Sequence, residues 1–478
     1  MHVNLLPRYE ILSPDAMEVL EGGWKRLLAE IGIQFQHPQA LALFRSAGQV
    51  VEGDVVRFDP EFILEQIAKA PREFTLRARN AEHSLPVGGD HMLFTCVQGP
   101  PFVREGAVRR DAEMADFERF CRLSQVFDEI DSAGGVPCEP SDRPLDSRHL
   151  DMQLALQVLT DKPYMGSQIS AEAARDSLAM AAILFGGTLG DEPVLYSTIN
   201  CNSPLRYDER MLGALLEYAA AGQPSVITPF LLMGAMSPAS IPGSLAQQTA
   251  EALAGVALVQ LVRPGAPVVL GSFLSHTDMQ SGSPGFGGPE SAIGLLCSGQ
   301  LARRLGLPWR SGGGALTSSQ TSDAQAAYEG LNTMLPSFLA GANVVYHAAG
   351  WLESGLVSSY EKFVVDVEVL RMLQAEFRPL EVSEEALAFG AHEEVRHGGH
   401  FLGAAHTLER FRECFYRPLL SSTENFERWQ RGGGKDAAER AGEIWRRQLA
   451  DYEQPPLDDS VREQLAEYVS RRRTELGD

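Results

Sequence analysis

From about Asp111 to Gly350 the chain alternates between stretches of helical hydrophobic spacing and short apolar stretches that open onto glycine, proline and small polar residues. No other feature limits the possible folds as strongly. DAEMADFERFCRLSQVF leads to IDSAGGVP, DMQLALQVLTD to PYMGSQIS, AARDSLAMAAILFGG to PVLYSTINCNSP, and DERMLGALLEYAAAGQ to SVITPFLLMGAMSP. The rhythm continues with SLAQQTAEALAGVALVQLVRPG before PVVLGSFLSHTDM, ESAIGLLCSGQLARRLGL before PWRSGGG, and AAYEGLNTMLPSFLAGA before NVVYHAAG. Proline or glycine stands just ahead of most strands, where the preceding helix has to stop. Strands separated by helices of this length pair in parallel. Seven or eight such units, with no G-x-G-x-x-G after the first strand, predict an α/β fold of the TIM (β/α)8 barrel type rather than a doubly wound sheet.

The flanks lack this rhythm. Residues 1–110 read as an α+β N-terminal lead-in packed on the barrel. It opens with a helix in SPDAMEVLEGGWKRLLAEIG, with Ser13 or Asp15 as cap, Pro14 in the first turn and Gly32 as stop. A helix near His37–Gly48, a strand over Val50–Phe58, a helix over Pro60–Ala70 and polar strand material from Phe74 to Phe102 follow. The barrel is assigned to 111–424. Residues 425–478 read as a helical tail, two charged amphipathic helices parted by Pro455 and Pro456 that pack on the barrel or on a second subunit. The GGGK at Gly432–Lys435 has neither the spacing nor the following Ser/Thr of a phosphate loop.

Composition narrows the partners. Forty-one basic residues against 63 acidic ones give a net charge of −22, which disfavours nucleic acid and anionic membranes. The six cysteines are scattered, with no C-x-x-C pair, as expected in a reducing compartment. The N-terminus lacks a basic start followed by an apolar core and cleavage site, and a cytoplasmic location is expected.

In barrels of βα units, chemistry sits at the carboxyl ends of the strands. That end gathers Tyr164 and Gln168, Asn200 and Asn202, Phe230, His276 and Asp278, Arg310, the triple glycine Gly312–Gly313–Gly314, Tyr346, His347 and Glu353. His347 is the sharpest candidate catalytic residue, because the small residues of HAAG leave room for a ligand beside the imidazole; a hydrogen-bonded structural histidine fits the pattern equally well. Glu290 closes the glycine-rich loop SGSPGFGGPE at a helix start, and stands either as a second catalytic group or as a favourable helix-terminal charge. Gly312, Gly313 and Gly314 are the candidate cofactor contacts. His397, His400 and His406 form an H-x2-H-x5-H cluster, but with no nearby cysteine and no H-E-x-x-H no metal site is assigned. There is no G-x-S-x-G elbow of a hydrolase and no D-x-H-x-x-G segment of a resident corrinoid.

Several segments in order, LQVLTDKPYMGSQIS, LAGVALVQLVRPGAPVVLGSF, TDMQSGSPGFGGPE and GANVVYHAAGWLESG, with the Trp-Gly-ERA pattern at Trp429–Ala441, resemble the trimethylamine methyltransferase family from about Asp15 to the end. The resemblance implies a TIM barrel that moves a methyl group from a methylated amine to the cobalt of a separate corrinoid protein. The founding members carry pyrrolysine in a loop after the sixth strand, where Ser318–Asp323 here holds only common residues. The chain therefore resembles the branch without pyrrolysine, whose substrates are glycine betaine and related quaternary amines.

The chemistry accounts for that difference. A quaternary ammonium already has a neutral amine as leaving group, so a strong nucleophile takes its methyl by direct displacement, without a general acid or a covalent adduct. The protein's task becomes positioning and electrostatics. What the resemblance implies is a carboxylate held by a donor such as His347, Asn200 or Arg310, with His276 and Glu353 as further substrate contacts. The trimethylammonium would lie against Tyr164, Phe230 and Tyr346, with Phe94 or Phe102 as lid residues. Strand alternation sets Tyr346 on the face opposite His347. The expected cofactor is cobalamin carried by the partner protein and not held tightly by this chain, with tetrahydrofolate as the alternative acceptor; a homo-oligomer is expected. Another betaine or sulfonium donor, or a betaine-binding module without catalysis, are the competing readings.

Overall fold

The computed structural model describes all 478 residues. Its centre is a curled parallel sheet of six strands: β1 (His91–Phe94), β2 (Ser197–Asn200), β3 (Ser225–Thr228), β4 (Val268–Gly271), β5 (Trp309–Ser311) and β6 (Val344–Val345). The ladder runs β2-β3-β4-β5-β6-β1, every pair parallel. Between β1 and β2 the regular ladder gives way to three isolated parallel bridges, Thr95 with Ser132, Gly134 with Tyr164, and Met165 with Tyr196. The continuous sheet is thus a TIM-like half-barrel, not a closed ladder.

Helices 209–220, 241–262, 289–305 and 324–339 make the crossovers from β2 to β6, and helix 360–376 follows β6. The sequence marks their starts: Asp208, Ser240, Asp323 and Ser359 each accept a backbone N–H from the first turn, satisfying a donor that the helix itself cannot. Gly306, left-handed, ends helix 289–305. Ile241–Val262 is 22 residues long and buried on all sides from Ser244 to Gln260, and 89% of its most apolar window is buried, as for a helix enclosed by neighbours.

The lead-in contributes more than its irregular pattern suggests. β1 comes from it and pairs with β6, so the central sheet begins before residue 111. The antiparallel hairpin Glu73–Leu76/Leu85–Gly88 continues from β1 and sends Leu76, Leu85 and Val87 into one cluster with Leu93, Met165, Tyr196, Val226, Val269, Val344 and Tyr346. These side chains fill the interior of the curl beneath the site. An antiparallel hairpin rather than a helix leads directly into β1, so the βα rhythm could not reveal it. The expected strand over Val50–Phe58 is instead a hairpin, Val50–Glu52 with Val55–Arg57. The first helix is capped by Ser13, carries Pro14 at its start and stops at Gly32 after a π turn.

The tail forms helices 437–450 and 459–476. Trp445 stacks on Tyr360 at 4.6 Å and donates Nε1–H to Glu361 at 3.1 Å. Leu465 and Val469 pack with Leu150 and Met180 while Arg472 pairs with Asp176 at 2.7 Å, so both helices rest on the body of this chain.

Candidate functional site

At the carboxyl ends of the parallel strands lies a cavity of about 320 Å³. Its wall alternates along each strand as the pleat requires: Thr198 and Asn200 face it from β2, Thr228 from β3, and Arg310 from β5. Phe230, Phe273 and Trp351 come from the segments just beyond the strands, and Gln98, Gly135, Glu139, Met165 and Gln168 from the bridged side.

Arg310 dominates its electrostatics. The side chain is buried to 2% exposure and forms no ion pair. Nη1 donates to the Ser272 carbonyl at 2.9 Å, while Nε has no partner. The guanidinium lies 4.3 Å from the Tyr346 ring centroid and 5.5 Å from that of Phe273, contacts that compensate part of its lost hydration. Burial pulls its pKa down to about 10, still far above neutrality, so the cation persists. A buried charge without a counter-charge costs several kcal/mol, and folds retain one where function uses it.

His347 sits beside it. The Gln98 backbone N–H donates to Nδ1 at 3.2 Å, so the neutral ring carries its proton on Nε2. Nε2 is 3.4 Å from Arg310 Nη2, and two donors there face one another. Burial and the Arg310 charge both hold the imidazole pKa well below its ordinary value, and the ring stays neutral. An anion is the chemical complement of these paired donors. Thr228 Oγ1, also on the wall, lacks a partner.

The remaining wall is aromatic. Phe230 and Phe273 lie 4.8 Å apart, and His347 meets Trp351 edge-on at 4.4 Å. Phe286, from the glycine-rich loop, stands behind Phe273 and Trp351 in near-perpendicular contact at 5.7 and 5.5 Å. Trp351 Nε1 donates to the Thr317 carbonyl, fixing the indole. Buried Lys362 and Asp366 tie the loops from below: Lys362 Nζ pairs with Asp366 and donates to the Ala315 carbonyl, and Asp366 Oδ2 accepts the Gly350 N–H.

Of the sequence candidates, Gln168, Asn200, Phe230, Arg310, Tyr346 and His347 meet at this cavity. Tyr346 is a correction to the alternation argument. Val344 and Tyr346 both point inward, and His347 reaches the same cavity because its φ of 58° turns the chain left-handed. Tyr164 is buried on the outer side, its hydroxyl accepting from Gln157, and its neighbour Met165 takes the inward position. His276 and Glu290 face each other at 3.5 Å away from the cavity lining, and Glu353 pairs with Arg109 at 2.9 Å. The three glycines do not line the cavity either. A Cβ on Gly314 would fall 2.1 Å from the Tyr346 carbonyl, one on Gly313 2.1 Å from Ser337 Oγ, and one on Gly312 2.5 Å from Phe273 Cα. They allow close backbone passage. Phe94 packs on Phe338 in the core, and Phe102 lies under Arg109, so neither is a lid. Reasoning from sequence missed Gln98, Thr198, Phe273 and Trp351; Phe273 and Trp351 follow strand ends by two and six residues, a usable signal.

The model of the trimethylamine methyltransferase family matches residues 1–477. The chain belongs to that family. It is 41% identical to a glycine betaine methyltransferase of Desulfitobacterium hafniense (strain Y51), over 99% of each chain. Identity to a proline betaine:corrinoid methyltransferase of Eubacterium limosum is 28%, over 98% of this chain and 99% of that one. Among solved structures, the Methanosarcina barkeri monomethylamine methyltransferase superposes with a TM-score of 0.55 at 12% identity, covering 94% of this chain and 90% of that one. That likeness shows the shared α/β, TIM-like fold. This family member is a methyltransferase, and its cavity joins an unpaired buried cation to an aromatic wall.

Proposed function

We propose that the cavity takes a small zwitterionic quaternary amine, glycine betaine first among them, and presents one N-methyl group to a corrinoid protein docked at the mouth. The single observation that carries this reading is Arg310, buried, positively charged and without a counter-ion beside the Nε2–H of His347. A carboxylate seated there receives charge-assisted hydrogen bonds and repays the desolvation of the guanidinium. The similarity to betaine-demethylating relatives supports the same substrate class.

The substrate's orientation follows. Val226, Val269 and Val344 close the interior of the curl and Arg310 lies buried at 2% exposure, so the carboxylate end goes in first. The trimethylammonium then lies among Phe230, Phe273 and Trp351, each face worth roughly 0.5–2 kcal/mol to a desolvated cation. A methyl group points out of the mouth. A reduced corrinoid supplies the cobalt(I) nucleophile for displacement. The residues of this chain hold the C–N bond in line, exclude water from the cation and need move no proton, because the departing amine leaves neutral. The donors here suit a carboxylate, and no group of three His, Cys, Asp or Glu side chains is arranged to ligate a metal.

The three bridges between β1 and β2 are the basis for reading the half-barrel as an eight-stave ring, with the rest of the lead-in and the tail packed around it. The test is to mix the purified protein with cob(I)alamin and glycine betaine. Loss of the cobalt(I) absorbance together with dimethylglycine in the proton NMR spectrum supports the reading. Calorimetric binding without turnover would favour a binding module, and dimethylglycine formed only when tetrahydrofolate replaces the corrinoid would move the acceptor to folate.

A further inference from the structure

We propose that Glu139 is the specificity-determining group for the cationic end of the ligand, and that it serves capture rather than methyl transfer. The inference rests on the cavity being a site for an amine zwitterion, as argued above. Glu139 is the one carboxylate among the lining residues, as Arg310 is the one permanent cation. The two occupy different levels. Arg310 lies within β5 at 2% exposure, whereas Glu139 follows the bridged residue Gly134 by five positions, with a side chain 30% exposed. Its backbone N–H is held by the Pro100 carbonyl at 2.9 Å, which continues the parallel run beyond Gly99 and Val136 towards the mouth. Oε2 pairs with Arg148 Nη2 at 2.5 Å, while Oε1 accepts no hydrogen bond from the protein. Burial raises the carboxyl pKa and Arg148 opposes that rise.

A small cavity with a cation at its base and a carboxylate nearer its rim is complementary to a zwitterion in one sense only, acid end inward and ammonium outward. The aromatic faces alone favour the ammonium ion only modestly over a tert-butyl group of the same shape. A carboxylate widens that preference, because only the ammonium carries charge. The same charge limits its part in the reaction. As the C–N bond breaks, the bonding pair stays on nitrogen and the positive charge there disappears, so Glu139 interacts most strongly with the bound substrate and less with the transition state. Groups of that kind set KM and leave kcat unaided. The neutral amine, once formed, is no longer held by this contact.

The test compares glycine betaine with 3,3-dimethylbutanoate, its uncharged carbon isostere at the quaternary centre, by calorimetry on the full chain. The wild type should prefer betaine. In Glu139→Gln the betaine affinity should fall about tenfold while the isostere's stays constant. With cob(I)alamin the KM for betaine should rise by a similar factor, while kcat rises rather than falls because part of the lost contact is already absent in the transition state. Arg148→Met is the companion variant: it keeps the carboxylate and removes its competing partner, and should increase the preference for betaine. Equal affinity of the wild type for both ligands, or an unchanged ratio in both variants, would overturn the role of Glu139 and leave the carboxylate grip of Arg310 standing. Failure of both ligands to bind the wild type would overturn the zwitterion site itself.

Discussion

The two sides of the parallel curl are built differently. From β2 through β6 to β1 the strands form a continuous ladder, and this side supplies Phe273, Arg310, Tyr346 and His347. Between β1 and β2 only single bridges hold the segments around Ser132, Gly134 and Tyr164–Met165, and this side supplies Gly135, Glu139, Met165 and Gln168. Gln98 joins the sides. Its backbone N–H donates to His347, and its side-chain Oε1 accepts from Gly135 and Val136 at 2.9 and 2.8 Å. On the proposed reading the difference is a division of labour: the laddered side holds the carboxylate, and the bridged side meets what the acid carries.

That contrast can be broken most directly at Arg310. Arg310→Met should weaken glycine betaine binding by about 100-fold or more, since truncating one member of a buried charge pair costs about 2–5 kcal/mol. The melting temperature of the unliganded protein should hold or rise, because the uncompensated charge is gone. Unchanged affinity by calorimetry would remove the grip from the laddered side. Trp351→Leu should cost about tenfold in betaine affinity, in line with the loss of one desolvated cation–π face. If the isostere 3,3-dimethylbutanoate weakens equally, the indole contributes packing rather than charge recognition.

Two further tests sharpen the contrast through stability. Gly134 has φ of 70°, and a Cβ there would fall 2.2 Å from the Gln98 amide, so Gly134→Ala should destabilise the fold by about 1–3 kcal/mol in chemical denaturation. A smaller effect would mean that the bridged side gives way freely. His347 is neutral in the folded state, with a pKa below its ordinary value. As pH falls below about 6.5 the unfolded chain takes up a proton that the folded chain refuses, so this residue removes stability towards acid. His347→Asn, which tolerates the left-handed φ, should flatten that part of the loss between pH 7 and 5, as read from thermal melts of both proteins. Asp366 acts in the opposite sense, its pKa raised to about 6 by burial, and is common to both, so it cancels in the difference. The smallest effect belongs to Glu290→Gln, which should change kcat/KM less than about twofold because Glu290 faces His276 outside the cavity. A larger loss would return it to the site.

Much of this was legible in the chain itself. The alternation of helix and strand periods announced parallel βα units, cap residues marked helix starts, and the short segments after each strand located the functional end. Arg310, His347, Phe230 and Asn200 were found because a strand's carboxyl end is a local property. The failures have local causes as well. Tyr164 was chosen over Met165 because a strand joined by single bridges carries too little pattern to tell its faces apart. Glycines 312–314 looked like ligand contacts because the sequence does not reveal which backbone passes beside them.

Sequence alone determined the repeating unit, the end of the sheet to search and the family, since these depend on periodicity and on ordered motifs along the chain. Tertiary structure decided that β1 and its hairpin complete the interior, that a left-handed turn brings His347 beside Tyr346, and that Arg310 has no counter-ion. Those facts depend on which distant segments meet and on what each buried polar atom finds there, and neither is encoded in the spacing of neighbours.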